Sequence, residues 1–268
     1  MQMDRRNFFQ GSAAVAAAAA GLAGCASTGA DVAMGSGAKP LFAVPDSFVP
    51  VVGSSEVFPV RRIYCIGRNY AAHSREMGSD PNREPPFFFQ KPTDAIQHVT
   101  PGVVADHPYP TLTKNYHYEV ELVAFLHRGG RNIPVERALD HVYGYTVGLD
   151  MTRRDLQQAM GNEKKPWEIG KSFDHSAPMG PVHPVALVGH FTQGAIWLKV
   201  NGQTKQSADL NQMIWSVAEQ IAHLSQANEL YPGDIIYSGT PANVGPVVRG
   251  DVMEIHIDKL PSLQVRVV

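Results

Sequence analysis

An acidic strand pattern at residues 117–125 is the feature that most constrains how this chain can fold. Polar and apolar residues alternate there, and Val, Phe and Tyr are frequent, so the segment predicts a β-strand. Side chains two positions apart share one face of a strand, and Glu119 and Glu121 are therefore expected to project together. The pattern alone leaves two interpretations open: a built acidic site, or the solvated face of an edge strand.

A third carboxylate follows a second strand-like segment. Residues 143–149 predict a strand that ends at Asp150, immediately before a predicted helix at residues 152–160. Carboxylates from two strand ends could converge on one divalent cation, because Mg²⁺ and Mn²⁺ prefer oxygen ligands. The acidic-site interpretation therefore makes Glu119, Glu121 and Asp150 candidate metal ligands.

Composition limits the class of fold and of partner. A chain of 268 residues can form one large domain or two small ones, and 44% hydrophobic with 18% charged residues is typical of a globular protein. Its 20 Pro and 24 Gly favour a β-rich fold with many turns. A net charge of -2 gives no electrostatic sign of nucleic-acid binding, so a nucleic-acid partner is not expected.

The first residues carry an export pattern rather than a folding pattern. Arg5 and Arg6 precede an Ala-rich, moderately apolar run at residues 11–23, which is typical of a twin-arginine signal. Residues 22–25 resemble a lipobox, in which Cys25 would be lipidated and become the mature N-terminus. A buried Ala-rich helix and a plain cleaved signal are the alternatives. The run is too short and too weakly apolar to predict a permanent membrane span.

These patterns divide the chain into three predicted parts. Residues 1–24 are a twin-arginine or lipoprotein-type signal peptide, residues 25–40 a flexible Gly-, Ser- and Ala-rich tether, and residues 41–268 the folded domain. The expected location is the periplasm, with a membrane anchor if Cys25 is lipidated. Cys65 is the one other cysteine, so neither a disulfide framework nor a cysteine metal site is expected, and Cys65 is predicted to be a small buried hydrophobe.

A histidine and a glutamate form a candidate general-base pair. Residues 69–77 predict a short helix, on which His73 and Glu76 are three positions apart and face the same way. A carboxylate beside an imidazole fixes its tautomer, which suits a base that activates water. The same spacing is also typical of a surface contact. Residues 78–86 are polar, contain three prolines and a glycine, and predict a loop or lid.

Further polar residues lie near the predicted acidic site. On the helix at 152–160, Arg154 and Gln157 share one face and could bind an anionic, oxygen-rich substrate, or they could lie on the exposed face of an amphipathic helix. Lys171 lies in an irregular, aromatic-flanked stretch and is either a solvated charge or a substrate contact. Lys91 ends a predicted buried strand at residues 87–92, and its role is open between a structural one and the rim of a pocket.

Two other segments give local predictions. Residues 212–225 predict a helix with a core-facing apolar stripe, made of Met213, Ile214, Val217, Ile221 and Leu224. Residues 196–203 predict a strand followed by an Asn-Gly hairpin turn.

Five separated segments, in the right order, resemble one family. They are residues 66–73 (IGRNYAAH), 118–122 (YEVEL), 148–152 (GLDMT), 170–174 (GKSFD) and 238–241 (SGTP). Together they resemble the fumarylacetoacetate hydrolase superfamily from about residue 58 to the C-terminus. Within it, the sequence is most similar to the fumarylpyruvate hydrolase and acylpyruvase branch.

The resemblance implies a mixed α/β, β-rich β-roll catalytic domain with short peripheral helices, usually assembled as a homodimer. It implies that Glu119, Glu121 and Asp150 bind Mg²⁺ or Mn²⁺. It further implies that His73 and Glu76 form a catalytic dyad, carried on a segment that becomes ordered when substrate binds. Lys171 would contact the substrate, and Arg154, Gln157 and Thr240 would form the rest of the pocket.

The activity that the resemblance implies is hydrolysis of a carbon–carbon bond in a ketonic substrate. Acylpyruvates such as fumarylpyruvate, which are 2,4-dioxo acids, would give pyruvate and a carboxylic acid. Two alternatives remain on the same metal site, decarboxylation of oxaloacetate and isomerisation of a 2-oxo-acid enol. An alternative of another class is a lipid-anchored protein that binds oxo acids without turnover, because members of this branch are typically cytosolic whereas this chain carries an export signal. Zinc and serine hydrolases are disfavoured, since the chain lacks the His-Glu-x-x-His and Gly-x-Ser-x-Gly patterns.

Overall fold

A computed structural model describes residues 41–78 and 84–268. The chain divides into a short N-terminal unit, Met1–Val44, and a large unit, Pro45–Val268, which contains every helix and strand given below. The predicted signal peptide at 1–24 and tether at 25–40 lie outside the described residues, as do residues 79–83 of the predicted loop. Within the described parts of the chain, no helix has the length and apolar character that crossing a membrane requires.

The large unit is built mainly from strands. The first nine strands are β1 (Phe48–Pro50), β2 (Val57–Pro59), β3 (Arg62–Ile66), β4 (Phe88–Lys91), β5 (Ile96–His98), β6 (Val104–His107), β7 (Tyr116–Tyr118), β8 (Val120–Leu126) and β9 (Val142–Leu149). They are followed by β10 (Thr152–Arg153), β11 (Ala177–Met179), β12 (His183–Pro184), β13 (Ala195–Val200), β14 (Gln203–Asp209), β15 (Asp234–Tyr237), β16 (Gly245–Val247), β17 (Val252–Ile257) and β18 (Leu263–Val267).

The helices are short and lie between the strands. They are α1 (Ala71–Glu76), α2 (Val135–Ala138), α3 (Arg154–Asn162), α4 (Glu168–Lys171), α5 (Val185–Val188) and α6 (Val217–Ala227), with 3₁₀ turns at Thr93–Ala95, Leu139–His141 and Leu210–Gln212. The predicted β-rich mixed α/β class with short helices is confirmed.

The largest sheet positions the acidic residues. Its strand order is β4-β3-β15-β8-β9-β11-β5, with β12 also paired to β9. Strand β8 pairs antiparallel with β15 on one side and β9 on the other, and all seven of its residues are buried. The interpretation of Glu119 and Glu121 as the solvated face of an edge strand is therefore wrong.

A second sheet completes the core. Its order is β14-β13-β17-β18-β6, and its buried side chains join those of the large sheet in one hydrophobic cluster that includes Leu122, Val147, Leu198, Ile255 and Val265. Each sheet thus buries one apolar face against the other. The predicted hairpin turn is confirmed: Val200 pairs with Gln203, and the two residues between them, Asn201 and Gly202, have φ values of 51° and 79°.

Two predicted elements differ from the observed ones by more than a residue or two at their ends. The helix predicted at 212–225 begins only at Val217, because Ser216 and Glu219 form a capping box that fixes the first turn there. Val217, Ile221 and Leu224 are buried as predicted, whereas Met213 and Ile214 precede the helix. The acidic strand predicted at 117–125 is interrupted at Glu119, where the chain passes from β7 to β8.

Candidate active site

Strand register brings three carboxylates together in the large sheet. Val120 pairs with Leu149 across β8 and β9, and the Asp150 amide donates to the Glu119 carbonyl at 2.9 Å. Glu119, Glu121 and Asp150 are only 4%, 1% and 1% exposed, and one oxygen of each lies within 4.8 Å of the others. We call these three residues the acidic triad.

Two buried cations hold the triad. Lys171 Nζ donates to Glu119 Oε2 at 2.7 Å and to Asp150 Oδ2 at 2.8 Å, and Arg154 Nη2 donates a short hydrogen bond to Glu119 Oε1. Burial alone would raise the pKa of Glu119, but the charges of Lys171 and Arg154 outweigh it and hold that pKa well below its usual range. Burial lowers the pKa of Lys171, yet Asp150 and Glu119 raise it more, so the ammonium form is favoured.

A third cation, Lys91, lies behind the triad. Its Nζ donates to the carbonyl oxygens of Lys171 at 2.5 Å and Met151 at 3.2 Å, and it lies 2.8 Å from Asp150 Oδ1. The side chain is fully buried and is not among the described residues that line the cavity at the triad. Of the two roles that the sequence left open for Lys91, the structure therefore favours the structural one.

Glu121 is the carboxylate whose charge is compensated least. Its Oε2 accepts a hydrogen bond from the Gly239 amide at 2.7 Å. Burial, together with the charges of Asp150 and Glu119, raises its pKa well above the usual range. Asp150 Oδ1, although buried and close to Lys91, accepts no hydrogen bond of good geometry from the described residues. An all-oxygen donor set in which one carboxylate, Glu121, is poorly compensated fits a hard divalent cation.

The predicted dyad lies at the same cavity. His73 is on α1 and 4% exposed, and its Nδ1 lies 3.0 Å from Glu76 Oε2. Burial tends to raise the pKa of Glu76, but the hydrogen bond and charge of His73 and the backbone amides of Asn243 and Val244 lower it overall. A carboxylate that accepts the Nδ1 proton leaves Nε2 as the basic nitrogen of the ring. The alternative of a mere surface contact does not hold, because His73 lines the cavity.

The helix after Asp150 faces inward. Arg154 and Gln157 are 2% and 7% exposed, and Arg154 Nη1 donates to Gln157 Oε1 at 2.5 Å, so the exposed-face alternative is wrong. Thr240, 2% exposed, donates through its hydroxyl to the Val120 carbonyl at 2.9 Å. Lys171, expected in an irregular stretch, ends the helical turn α4 and is buried, which excludes a solvated charge.

One cavity is lined by most of these side chains. Eight of the nine predicted site residues line it, and Glu76 lies behind His73. Its lining also includes residues to which the sequence assigned no role, namely Arg68, Met77, Phe87, Phe89 and Trp167. Arg68 belongs to a segment that carried the family resemblance, and Phe87 and Phe89 belong to an apolar run that predicted only a buried strand.

Comparisons with known proteins agree with this geometry. Residues 62–268 match the model of the fumarylacetoacetate (FAA) hydrolase C-terminal family, and residues 2–24 match the twin-arginine translocation pathway signal sequence, which supports export to the periplasm. The crystal structure of fumarylpyruvate hydrolase from Pseudomonas aeruginosa, in complex with Mn²⁺ and pyruvate, is 55% identical with a TM-score of 0.84, covering 86% of this chain and 99% of that one.

Two curated relatives carry different activities. Fumarylpyruvate hydrolase of Ralstonia sp is 40% identical over 70% of this chain and 95% of its own length. The mitochondrial oxaloacetate decarboxylase of Dictyostelium discoideum is 38% identical over 75% of this chain and 91% of its own length. With a family model that spans most of its length, and an acidic triad, dyad and lysine in one cavity, the chain belongs to the fumarylacetoacetate hydrolase family.

Proposed function

We propose that this protein is a divalent-metal-dependent hydrolase that cleaves a carbon–carbon bond in 2,4-dioxo acids. Fumarylpyruvate is the favoured substrate, and pyruvate and fumarate are the products. One observation carries the proposal: a His–Glu pair able to activate water faces the same cavity as the acidic triad. The likeness to proteins named fumarylpyruvate hydrolase supports the choice of substrate.

The acidic triad would hold the metal ion. A bound Mg²⁺ or Mn²⁺ would supply Lewis-acid stabilisation of the negative charge that develops on the substrate. The Mn²⁺ in the Pseudomonas aeruginosa structure supports a divalent cation in this family, and the native metal would be identified by elemental analysis of the purified protein.

His73 acts as the general base in this proposal. With Glu76 holding the Nδ1 proton, Nε2 takes a proton from water, and the hydroxide attacks the C4 carbonyl. The C3–C4 bond then breaks, and its electron pair leaves with the pyruvate part as an enolate. Protonation of that enolate at C3 gives pyruvate, and the proton taken by His73 balances the step.

In this proposal, Lys171 and Arg154 provide the positive charge that stabilises the enolate. Both are buried and fixed by ion pairs with the triad, so they stabilise the enolate without having to reorganise. We assign Arg154 and Gln157, which are hydrogen-bonded to each other, to the 2-oxo-acid end of the substrate, and Thr240 to the adjoining wall.

The test is pyruvate release by the mature protein. Fumarylpyruvate and acetylpyruvate are supplied with Mn²⁺, with Mg²⁺ and with a chelator. We expect metal-dependent release of pyruvate together with an equal amount of fumarate from fumarylpyruvate, or of acetate from acetylpyruvate. Tight metal binding without release from either compound would contradict the proposal and favour the oxo-acid binding protein.

A second activity on the same site has its own support. The relative from Dictyostelium discoideum is named an oxaloacetate decarboxylase, and both decarboxylation and enol isomerisation proceed through an enolate. A water-activating pair serves hydrolysis in particular, which is why the hydrolase is preferred. Two parallel assays with oxaloacetate test this preference, one of CO₂ release and one of enol loss. If kcat/KM for either reaction exceeded kcat/KM for fumarylpyruvate hydrolysis, the preference would be reversed.

Location and assembly complete the proposal. Export through the twin-arginine pathway, supported by the match at residues 2–24, is followed in our proposal by lipidation of Cys25 and retention at the periplasmic membrane. Fractionation of cells that express the wild type and Cys25→Ala tests this, because only the wild type should sediment with membranes. A homodimer is expected and would be checked by light scattering.

A further inference from the structure

We call the acidic triad, together with the cations Lys91, Lys171 and Arg154 that contact it, the floor of the cavity. The charges of the floor balance one another. With all three carboxylates ionised, as metal ligands would be, the acidic triad contributes three negative charges among the described side chains, and Lys91, Lys171 and Arg154 contribute three positive ones. A divalent cation would add two positive charges. In the proposed reaction the carboxylate of the 2-oxo-acid end and the developing enolate bring two negative charges, which match the cation. The floor thus holds one end of the substrate and leaves no charge for a further anionic group.

Arg68 brings another positive charge to the same cavity. It follows β3, is half-buried, and lines the cavity together with the triad. Its guanidinium carbon lies 5.6 Å from the ring centroid of Phe87, and Phe87 is 36% exposed whereas the triad is almost fully buried. Arg68 therefore belongs to the outer part of the cavity, away from the floor.

The turn that carries Arg68 is fixed by its surroundings. Arg68 itself has a φ of 56°, and a Cβ on Gly67 would lie only 2.0 Å from Phe87 Cζ, so Phe87 packs directly on the backbone before Arg68. On the other side, the Asn69 side chain donates to the carbonyls of Trp215 at 2.9 Å and Ser238 at 2.7 Å. The backbone at Arg68 is therefore already ordered before a ligand binds, which lowers the cost of binding.

An aromatic surface lies between the two charged regions. Phe87 and Trp167 have ring centroids 5.6 Å apart, Phe89 and Trp167 are 6.2 Å apart, and all three line the cavity. We call these three residues the aromatic wall. Flat apolar faces of this kind suit a planar, unsaturated carbon chain better than a charged or branched one.

We propose that Arg68 is a specificity-determining residue that binds a second carboxylate at the far end of the substrate. The site then prefers dicarboxylic over monocarboxylic 2,4-dioxo acids, with the planar middle of the chain lying along the aromatic wall. The proposal rests on the proposed function for the end of the substrate that the floor holds. Guanidinium binds carboxylate through two parallel hydrogen bonds, which a thioether or a single ammonium cannot reproduce.

The test compares fumarylpyruvate, which has the second carboxylate, with acetylpyruvate, which lacks it. Arg68→Met should lower kcat/KM for fumarylpyruvate by about 10- to 100-fold, mainly through KM, which corresponds to the loss of a charged hydrogen bond. The loss for acetylpyruvate should be about tenfold smaller. Arg68→Lys should fall between the wild type and Arg68→Met. Arg75→Met, an exposed arginine of α1 outside the cavity, is the matched control and should leave the preference as it is.

Equilibrium binding separates this proposal from the proposed function. Calorimetry with Mn²⁺ present, in a His73→Gln background that strongly slows turnover, should give tighter binding of fumarylpyruvate than of acetylpyruvate. Arg68→Met should remove the difference. If the wild type turns over neither compound but shows that difference in binding, the hydrolase is contradicted and the role of Arg68 stands. Equal binding of the two compounds, or equal losses for both in correctly folded Arg68→Met and Arg68→Lys, would overturn the role of Arg68.

Discussion

The floor and the outer part of the cavity are built in different ways. The floor is formed at the ends of paired strands, its carboxylates are 1–4% exposed, and Glu119 and Asp150 are paired with buried cations. The outer part comes from a turn, an edge strand and a short helical segment, and its Arg68, Phe87 and Trp167 are all partly exposed. In our proposals, the reaction therefore depends on paired charges within the sheet, whereas substrate choice depends on partly exposed side chains that can be replaced without unfolding it.

The largest effect should come from the base that faces the floor. His73→Gln is expected to lower kcat for fumarylpyruvate by about 10²–10⁴-fold, because water is no longer deprotonated at Nε2. The affinity for Mn²⁺, measured by calorimetry, should change little, since the triad is intact. His98→Gln, on β5 and outside the cavity, is the control. A normal kcat in His73→Gln would remove the base from the mechanism.

Replacing Lys91 tests how far the stability of the protein depends on the buried cation behind the acidic triad. Lys91→Met leaves Asp150 without one of its two lysine partners and should cost about 3–5 kcal/mol of unfolding free energy in the metal-free protein. The measurement is denaturant unfolding with a chelator present. Lys205→Met, an exposed lysine of β14, should stay within about 0.5 kcal/mol of the wild type. Equal stability of the two variants would show that Lys171 alone compensates Asp150.

Replacing Glu121 should show that this carboxylate destabilises the metal-free protein but strengthens metal binding. Its pKa is raised well above the usual range, so the folded protein loses free energy whether Glu121 is ionised or takes up a proton. Glu121→Gln removes that loss and should stabilise the metal-free protein by about 2 kcal/mol, seen as a rise in Tm. With Mn²⁺ the order should reverse, since one ligand is missing. Glu136→Gln, exposed on α2, is the control, and a lower Tm of metal-free Glu121→Gln would contradict the account.

The smallest effect is expected at the aromatic wall. Trp167→Ala should raise KM for fumarylpyruvate by about 2- to 12-fold, the equivalent of one aromatic contact of 0.5–1.5 kcal/mol, with kcat and stability nearly unchanged. Steady-state kinetics and a thermal melt would measure both. Trp197→Ala, on β13 and outside the cavity, should not alter KM. A large loss of kcat in Trp167→Ala would mean that the outer part of the cavity also aligns the reacting bond.

The sequence was most informative where local periodicity and chemistry coincide. The spacing of Glu119 and Glu121 on a strand, and Asp150 at the end of the next one, was enough to suggest the triad. Its burial was not predictable, because burial depends on β15 pairing with β8 although the two strands lie more than a hundred residues apart. The break at Glu119 was not predictable from local pattern either: β7 before it pairs with β10 and β16, whereas β8 after it pairs with β9 and β15. At this break the Glu119 carboxylate meets two cations.

Other features depend on packing that no local pattern records. Lys91 ends an apolar run and gave no sign that its ammonium would reach Asp150. The late start of α6 was readable in principle, since Ser216 and Glu219 have capping-box spacing, but the apolar stripe continued before them and masked it. Arg68 carried no periodic signal, and its place in the cavity follows from a left-handed turn.

The loop after β15 links the two halves of the chemistry. The Gly239 amide holds the Glu121 carboxylate at 2.7 Å, and the Asn243 amide, four residues later, holds both oxygens of Glu76 at 3.1 Å. One short piece of main chain therefore fixes the position of the proposed His73–Glu76 base pair relative to the proposed metal ligands. Because these contacts come from backbone amides, they do not depend on which side chains the loop itself carries.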